Sequence, residues 1–262
     1  MDLRLTGRHA LVCGASQGIG RATAFELAEL GASVTLLSRS ADALIALAVE
    51  LPATHPGQKH RHLAVDMLDT DALTAAVTEA AHLNAVHILV NNSGGPPPGP
   101  AWNAEPEAFL IAYRQHLIGA QVVTRACLPG MRAAHYGRIV NVISTSVKEP
   151  IANLGVSNTV RAAVAGWAKT LSSEVAPDGI TVNNVLPGYT RTPRLEALVE
   201  ASVKAGRGRD EVERGLLASV PAARFGDPSE VAAVIAFLAS PAAGYVNGVS
   251  LAVDGGRTRS LN

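Results

Sequence analysis

Gly14-Ala15-Ser16-Gln17-Gly18-Ile19-Gly20 is the first stretch of this chain whose residue types and spacing suit chemistry. Its glycines permit a tight turn and let backbone N–H groups approach a phosphate. The turn falls between a short apolar run, His9 to Cys13, and a helical pattern. That is where a pyrophosphate meets a helix N-terminus, so Gly14, Ser16, Gln17, Gly18, Ile19 and Gly20 are expected to cradle a dinucleotide. The spacing is GxxxGxG, not the GxGxxG of the general fingerprint. Nineteen residues beyond Gly20, where NAD-binding chains carry an acid for the ribose 2′-hydroxyl, stand Ser38-Arg39-Ser40. A guanidinium flanked by hydroxyls suits a 2′-phosphate through bidentate charge-assisted bonds, so NADP(H) is preferred and NAD(H) stays open. The bland alternative for Arg39 is a solvated surface arginine.

The elements that must position these residues alternate along the chain. Apolar runs at His9–Cys13, Ala32–Leu37, His62–Val65, Val86–Val90, Arg138–Val142, Thr181–Val185 and Val249–Val253 read as seven strands. Helical patterns separate them: Arg21–Leu30 closed by Gly31, Ala41–Leu51 ended by Pro52, Asp69–His82 capped by Asp69, Glu105–Ala134, Leu154–Val175 and Ser229–Leu238. Gly94 to Pro100 is proline-rich and must be an irregular loop. Strands alternating with crossover helices predict a doubly wound parallel α/β sheet in three layers, with ligands beyond the carboxyl ends of the strands. One domain is expected over residues 1–262, with Thr190 to Asp227 as a lid over the substrate.

Composition narrows the classes. The 22 basic and 22 acidic residues cancel without long runs of one sign, which gives no reason to expect nucleic acid or an anionic membrane as partner. Two cysteines outside any CxxC pair favour a reduced, cytoplasmic setting. The N-terminal residues lack a signal-peptide core, and no window approaches the roughly 20 apolar residues of a membrane span. His55, His60 and His62 straddle a loop and a strand without a carboxylate or cysteine between them, so no metal site is expected.

With the glycine turn, several later segments resemble the short-chain dehydrogenase/reductase family. Asp66, followed by Met67, stands where that family's acidic residue meets the adenine. Asn91-Asn92-Ser93-Gly94 looks like its NNAG turn, although loop capping alone would also explain Asp66 and Asn92. Pro187-Gly188 with Thr190 and Thr192 looks like its PG-x-x-x-T segment, and Asp254-Gly255-Gly256 like its C-terminal turn. The resemblance implies a nicotinamide-dependent oxidoreductase acting on a small carbonyl or alcohol. It also implies a homodimer or homotetramer built on the two long helices, and a catalytic set of Ser, Tyr, Lys and Asn.

That set is largely replaced. Ser144 stands where the family's Ser is expected, but Ser157 and Arg161 occupy the Tyr and Lys positions, and His116 the Asn position. Ser157 and Arg161 keep the i,i+4 spacing that turns both toward one face. Arg161 can still hold ribose hydroxyls but cannot relay a proton, and an aliphatic hydroxyl poorly replaces a phenol. His116, with an ordinary pKa near 6.5, and the phenol of Tyr189 are the substitutes to test for the proton, against the commoner roles of a structural donor for a helix histidine and of packing beside the nicotinamide for Tyr189. Tyr113, Tyr136 and Tyr245 read as packing residues. The chain thus resembles a divergent branch close to 3-oxoacyl-carrier-protein reductases. The competing reading is a dinucleotide-binding sensor or partner subunit without turnover.

Overall fold

The computed structural model describes residues 1–261. Seven strands form one all-parallel sheet: β1 His9–Cys13, β2 Ser33–Ser38, β3 His60–Ala64, β4 Ile88–Asn91, β5 Gly137–Val142, β6 Ile180–Pro187 and β7 Ser250–Val253. Their spatial order is β3-β2-β1-β4-β5-β6-β7. The chain reverses direction across the sheet between β1 and β4, which opens a crevice at the carboxyl ends of those strands.

The strands are near-continuous apolar runs because both sheet faces are covered. In β1, Ala10 and Val12 face one core with Leu27 of α1 (Gly18–Glu29), Leu44 of α2 (Ala41–Glu50) and Ile235 of α9 (Pro228–Ala239). Leu11 and Cys13, one residue out of phase, face the other core. There they meet Val77 of α3 (Thr70–Leu83), Val123 of α5 (Gly119–Ala133) and Leu171 of α6 (Gly155–Val175). The period-2 alternation of a strand assigns the residues to the two layers. The edge strand β3 reads His-Arg-His-Leu-Ala and is mostly exposed, so its polar residues suit an edge. His60 lies there with Nε2 hydrogen-bonded to the Pro52 carbonyl. Asp69 caps α3 as expected, its carboxylate accepting from the Ala72 amide.

At one level of the sheet, polar side chains replace the apolar pattern. Asn91, Asn141, Asn184 and Ser250 are register partners across β4, β5, β6 and β7. Asn91 Nδ2 donates to Asn141 Oδ1 (2.9 Å), Asn141 Nδ2 to Asn184 Oδ1 (3.0 Å), and Asn184 Nδ2 to Ser250 Oγ (3.1 Å). The result is a one-way ladder just beneath the crevice.

The long helical pattern at Glu105–Ala134 is not one helix. It divides into α4 (Pro106–Tyr113), a π-helical turn at Arg114–Ile118 and α5. The wider turn changes the angular phase of the helix, and π turns favour functional positions. Here the turn carries His116, which is buried. Residues between β6 and α9 form α7 (Pro193–Lys204) and α8 (Arg209–Leu217), tied together by Arg209 bonding Glu196, Glu200 and Glu213. Both ends of this insert meet where the Arg191 amide donates to the Gly226 carbonyl and the Gly226 amide to the Tyr189 carbonyl. Tyr136 is buried with its hydroxyl on the Ala239 carbonyl, whereas Tyr245, expected to pack, is fully exposed on a turn. Among the described residues no helix is long and apolar enough to cross a membrane.

Candidate active site

The glycine turn forms one wall of a groove at the carboxyl ends of β1, β2 and β4. Gly14 and Gly18 hold positive φ of 60° and 57°, accessible to glycine without strain. A Cβ on Gly14 would lie 2.7 Å from the Asn92 carbonyl oxygen, and one on Gly20 only 2.2 Å from the Gly14 carbonyl oxygen. Gly20 therefore lies behind the groove and permits the turn to close, instead of lining the groove as expected. Helix α1 begins at Gly18 with no side-chain cap and no acid in its first turn, leaving its first amides for an anion. Asn92 Nδ2 donates to the Cys13 and Gly14 carbonyls, both at 3.3 Å, and so locks the turn to β4.

Along this groove lie the residues expected there: Gly14, Ser16, Gln17, Gly18, Ile19, Ser38, Arg39, Asp66, Met67, Asn92, Ser93, Gly94 and Thr192. Arg39 is mostly exposed, 3.9 Å from Asp66 Oδ2, and Asp66 Oδ1 accepts from the Leu68 amide. Asp66 thus caps its own loop and faces Arg39 across the outer end of the groove.

A second cavity, about 210 Å³, shares Ile19, Asn92, Ser93, Thr192 and Arg194 with the groove. It gathers Ser144, Ser157, Arg161, Pro187, Gly188, Tyr189 and Thr190. Ser144 Oγ accepts from the Ser146 amide at 3.0 Å, which leaves its own proton to donate. Ser157 and Arg161, one turn apart on α6, both line the wall. Arg161 is only 8% exposed; it donates from Nη1 to the Val142 carbonyl (2.8 Å) and from Nη2 to the Ser93 carbonyl (3.5 Å). Burial, then the charge of Arg194, lowers its pKa to about 10, so it remains a cation at neutral pH. Thr192 caps α7, its hydroxyl accepting from the Leu195 amide and donating to the Thr190 carbonyl.

His116 is placed differently from the reading that made it an acid or base. It lies outside the second cavity, behind Ser93, with Nδ1 2.7 Å from Ser93 Oγ. Burial first, then the guanidinium charges of Arg161 and Arg194, drives its pKa down to about 2. The ring is neutral at working pH, so its ordinary value near 6.5 does not apply. His116 and Asn91 line a cavity of about 10 Å³, and His116 Nε2 and Asn91 Oδ1 each lack a protein partner.

Two arginines of the cavity escaped the sequence reading. Arg194 opens α7 and crosses to the proline-rich loop, donating to the Gly95 (2.7 Å) and Pro96 (3.1 Å) carbonyls. Arg257 arrives from the C-terminal tail, donates to Thr145 Oγ1 (3.2 Å) and stacks 5.0 Å from the Tyr189 ring centroid. No motif marks either one; a lone arginine reads as solvated. Of the insert's apolar residues, Leu195 and Leu198 reach the cavity, Val199 packs inside, and Leu216 and Leu217 do not line it.

A family model described as enoyl-(acyl carrier protein) reductase matches residues 14–258. The chain belongs to the short-chain dehydrogenase/reductase family. It is 35% identical over 257 residues to a 3-oxoacyl-(acyl-carrier-protein) reductase of Vibrio harveyi, covering 97% of this chain and 98% of that protein. An NADPH-dependent reductase of Bacillus subtilis is 31% identical over 259 residues, covering 98% and 100%. Among solved structures, L-sorbose reductase from Gluconobacter frateurii, complexed with NADPH and L-sorbose, superposes with a TM-score of 0.93 at 31% identity and full coverage of both chains.

Proposed function

We propose that this chain is an NADP(H)-dependent oxidoreductase that interconverts a small carbonyl compound and its alcohol. The observation that carries this reading is the wall shared by the nucleotide groove and the cavity of Ser144, Ser157 and Arg161. The NADPH-dependent relatives support the cofactor. The cradle that a Cβ would fill at Gly14 and the uncapped start of α1 fit a pyrophosphate. Arg39 with Ser38 suits the 2′-phosphate, and Asp66 with Met67 would hold the adenine end.

When bound, NADPH supplies the hydride. Ser144 and Ser157 donate hydrogen bonds to the substrate oxygen, and the fixed charge of Arg161 stabilises the negative charge that develops there. Ser157 makes no side-chain hydrogen bond within the described chain, so its hydroxyl is uncommitted. Tyr189 is the one phenol on this wall, and it gives the proton. His116 holds Ser93 in place and takes no proton. The insert at residues 190–227 acts as a lid whose hinge is the Arg191–Gly226 and Gly226–Tyr189 pairing. Exposed Leu110, Ile111 and Ile118 along α4 and the π turn supply the face on which two subunits would pair.

Fluorescence titration with NADPH and NADH, followed by single-turnover mixing with a panel of ketones and aldehydes, tests the reading. Preferential NADPH binding followed by its oxidation is expected. Tight NADPH binding without oxidation across the panel would overturn catalysis and favour the sensor or partner-subunit reading.

A further inference from the structure

The cavity carries a charge imbalance that the chain as a whole does not. Basic and acidic residues balance at 22 each, yet among the described residues the cavity wall contains Arg161, Arg194 and Arg257 and not one carboxylate. None of these three forms an ion pair within the described residues, while nine other arginine–carboxylate contacts are made elsewhere. Arg161 is buried, Arg257 is half-buried and Arg194 is exposed; a cation held away from water without a counter-charge is costly unless a ligand provides one.

The three are not equivalent. Arg194 lines both the groove and the cavity, so its charge can serve the nucleotide. Arg161 sits beside Ser157, where the reacting oxygen is held. Arg257 lines only the cavity, away from the groove. One bond to Thr145 Oγ1 occupies Nη1; Nε is buried without a partner among the described residues. Much of its donor fork is therefore uncommitted, and that fork matches a carboxylate bidentately.

Position then limits the ligand. Thr145, which anchors Arg257, directly follows Ser144, and consecutive Cα atoms lie about 3.8 Å apart. Ser144 and Arg257 line the same cavity of about 210 Å³, so an anion on Arg257 and a carbonyl on Ser144 share one small space. Ile143, Ile151, Leu154, Leu195 and Leu198 supply apolar wall for a hydrocarbon remainder.

We propose that the substrate is a short oxo acid, or the matching hydroxy acid, whose carboxylate is held by Arg257 while Ser144 and Ser157 hold its carbonyl oxygen. The reduction converts C=O to CH–OH with the hydride of NADPH and one proton; the carboxylate does not react. This rests on the cavity being the substrate site.

The test has two arms on the full chain. In the first, NADPH oxidation is followed with 2-oxohexanoate and 3-oxohexanoate against their methyl esters. At least one acid should exceed its ester tenfold or more in kcat/KM. R257Q should shrink that ratio toward one and R257K restore part of it, with NADPH affinity as the folding control. In the second, hexanoate and hexanamide are titrated calorimetrically into the protein with NADP+. Hexanoate should bind at least tenfold tighter, and R257Q should erase the difference. Because this arm needs no turnover, an inactive protein that prefers hexanoate would sink the oxidoreductase reading and keep the anion site. Equal treatment of acid and neutral compound in both arms, or a preference unchanged in R257Q, would overturn the proposal; if R257Q fails to fold, R257K supplies the same comparison, and a preference undiminished in it would overturn the assignment to Arg257.

Discussion

Replacing His116 with asparagine should flatten the acid side of the stability curve. The imidazole is 5% exposed and its pKa is held at about 2 by burial, then by the charges of Arg161 and Arg194. In the unfolded chain it takes a proton near pH 6.5, whereas in the folded chain it stays neutral down to about 2. Between those values the unfolded state binds more protons, so stability falls as pH falls, and the loss is absent above pH 6.5. At pH 4.5, two units below the unfolded value, His116 alone should cost roughly 2.7 kcal/mol. His9, His60 and His87 are also lowered, each chiefly by burial, so the wild-type curve includes their share. The variant isolates His116, because asparagine can still meet Ser93 Oγ but does not titrate. Urea unfolding from pH 7.5 to 4.5, followed by circular dichroism, should show the wild-type-minus-variant gap shifting by about 2–3 kcal/mol against the wild type at the acid end. Parallel curves would refute the reasoning, since they would mean that the folded ring protonates as an exposed one does. A ring neutral to such low pH also gives no rate limb near neutrality, which favours the structural role over the acid–base one.

Other outcomes follow from the same geometry. Arg39→Asp should weaken NADPH binding by about 10- to 100-fold, the worth of one or two charge-assisted bonds, while NADH changes much less; equal losses would remove Arg39 from the 2′-phosphate site. Gly20→Ala places a methyl 2.2 Å from the Gly14 carbonyl oxygen, so about 1–3 kcal/mol of stability and much of the NADPH affinity should be lost, measured by urea unfolding and titration. Tyr189→Phe should lower kcat by about 100-fold with NADPH affinity retained, in the range of general-acid contributions; unchanged turnover would exclude the phenol as proton donor.

The sheet was legible because burial on both faces makes strands such as β1 and β4 short, mostly apolar runs ended by glycine or asparagine. Strand β3 was harder, and its start at His60 was missed, since an edge strand of His-Arg-His lacks that signature. The break at Arg114–Ile118 has no local signal: every residue there tolerates an α-helix, and the contact of His116 with Ser93 is made across the fold. For the site, glycine spacing revealed the cradle because backbone geometry restricts which residues can stand there. Arg194 and Arg257 stayed hidden because they reach one cavity from an insert and a tail 63 positions apart, and nothing local distinguishes them from solvated arginines.

The asparagine ladder bears on how the sheet finds its alignment. A slip of one residue in β5 would turn Asn141 from its partners into the opposite apolar layer and orphan amides on Asn91 and Asn184. Each stranded polar group would cost about 1–3 kcal/mol, a penalty that interchangeable valines and leucines cannot impose. Parallel strands pair across long stretches of chain and do so slowly, which leaves time for such errors. Ser144 follows Asn141 by three residues, and Pro187 follows Asn184 by three. A misaligned strand would therefore displace these residues by about 3.3 Å along the sheet. The rung that rejects the misfolded pairing thus also proofreads the placement of the cavity wall.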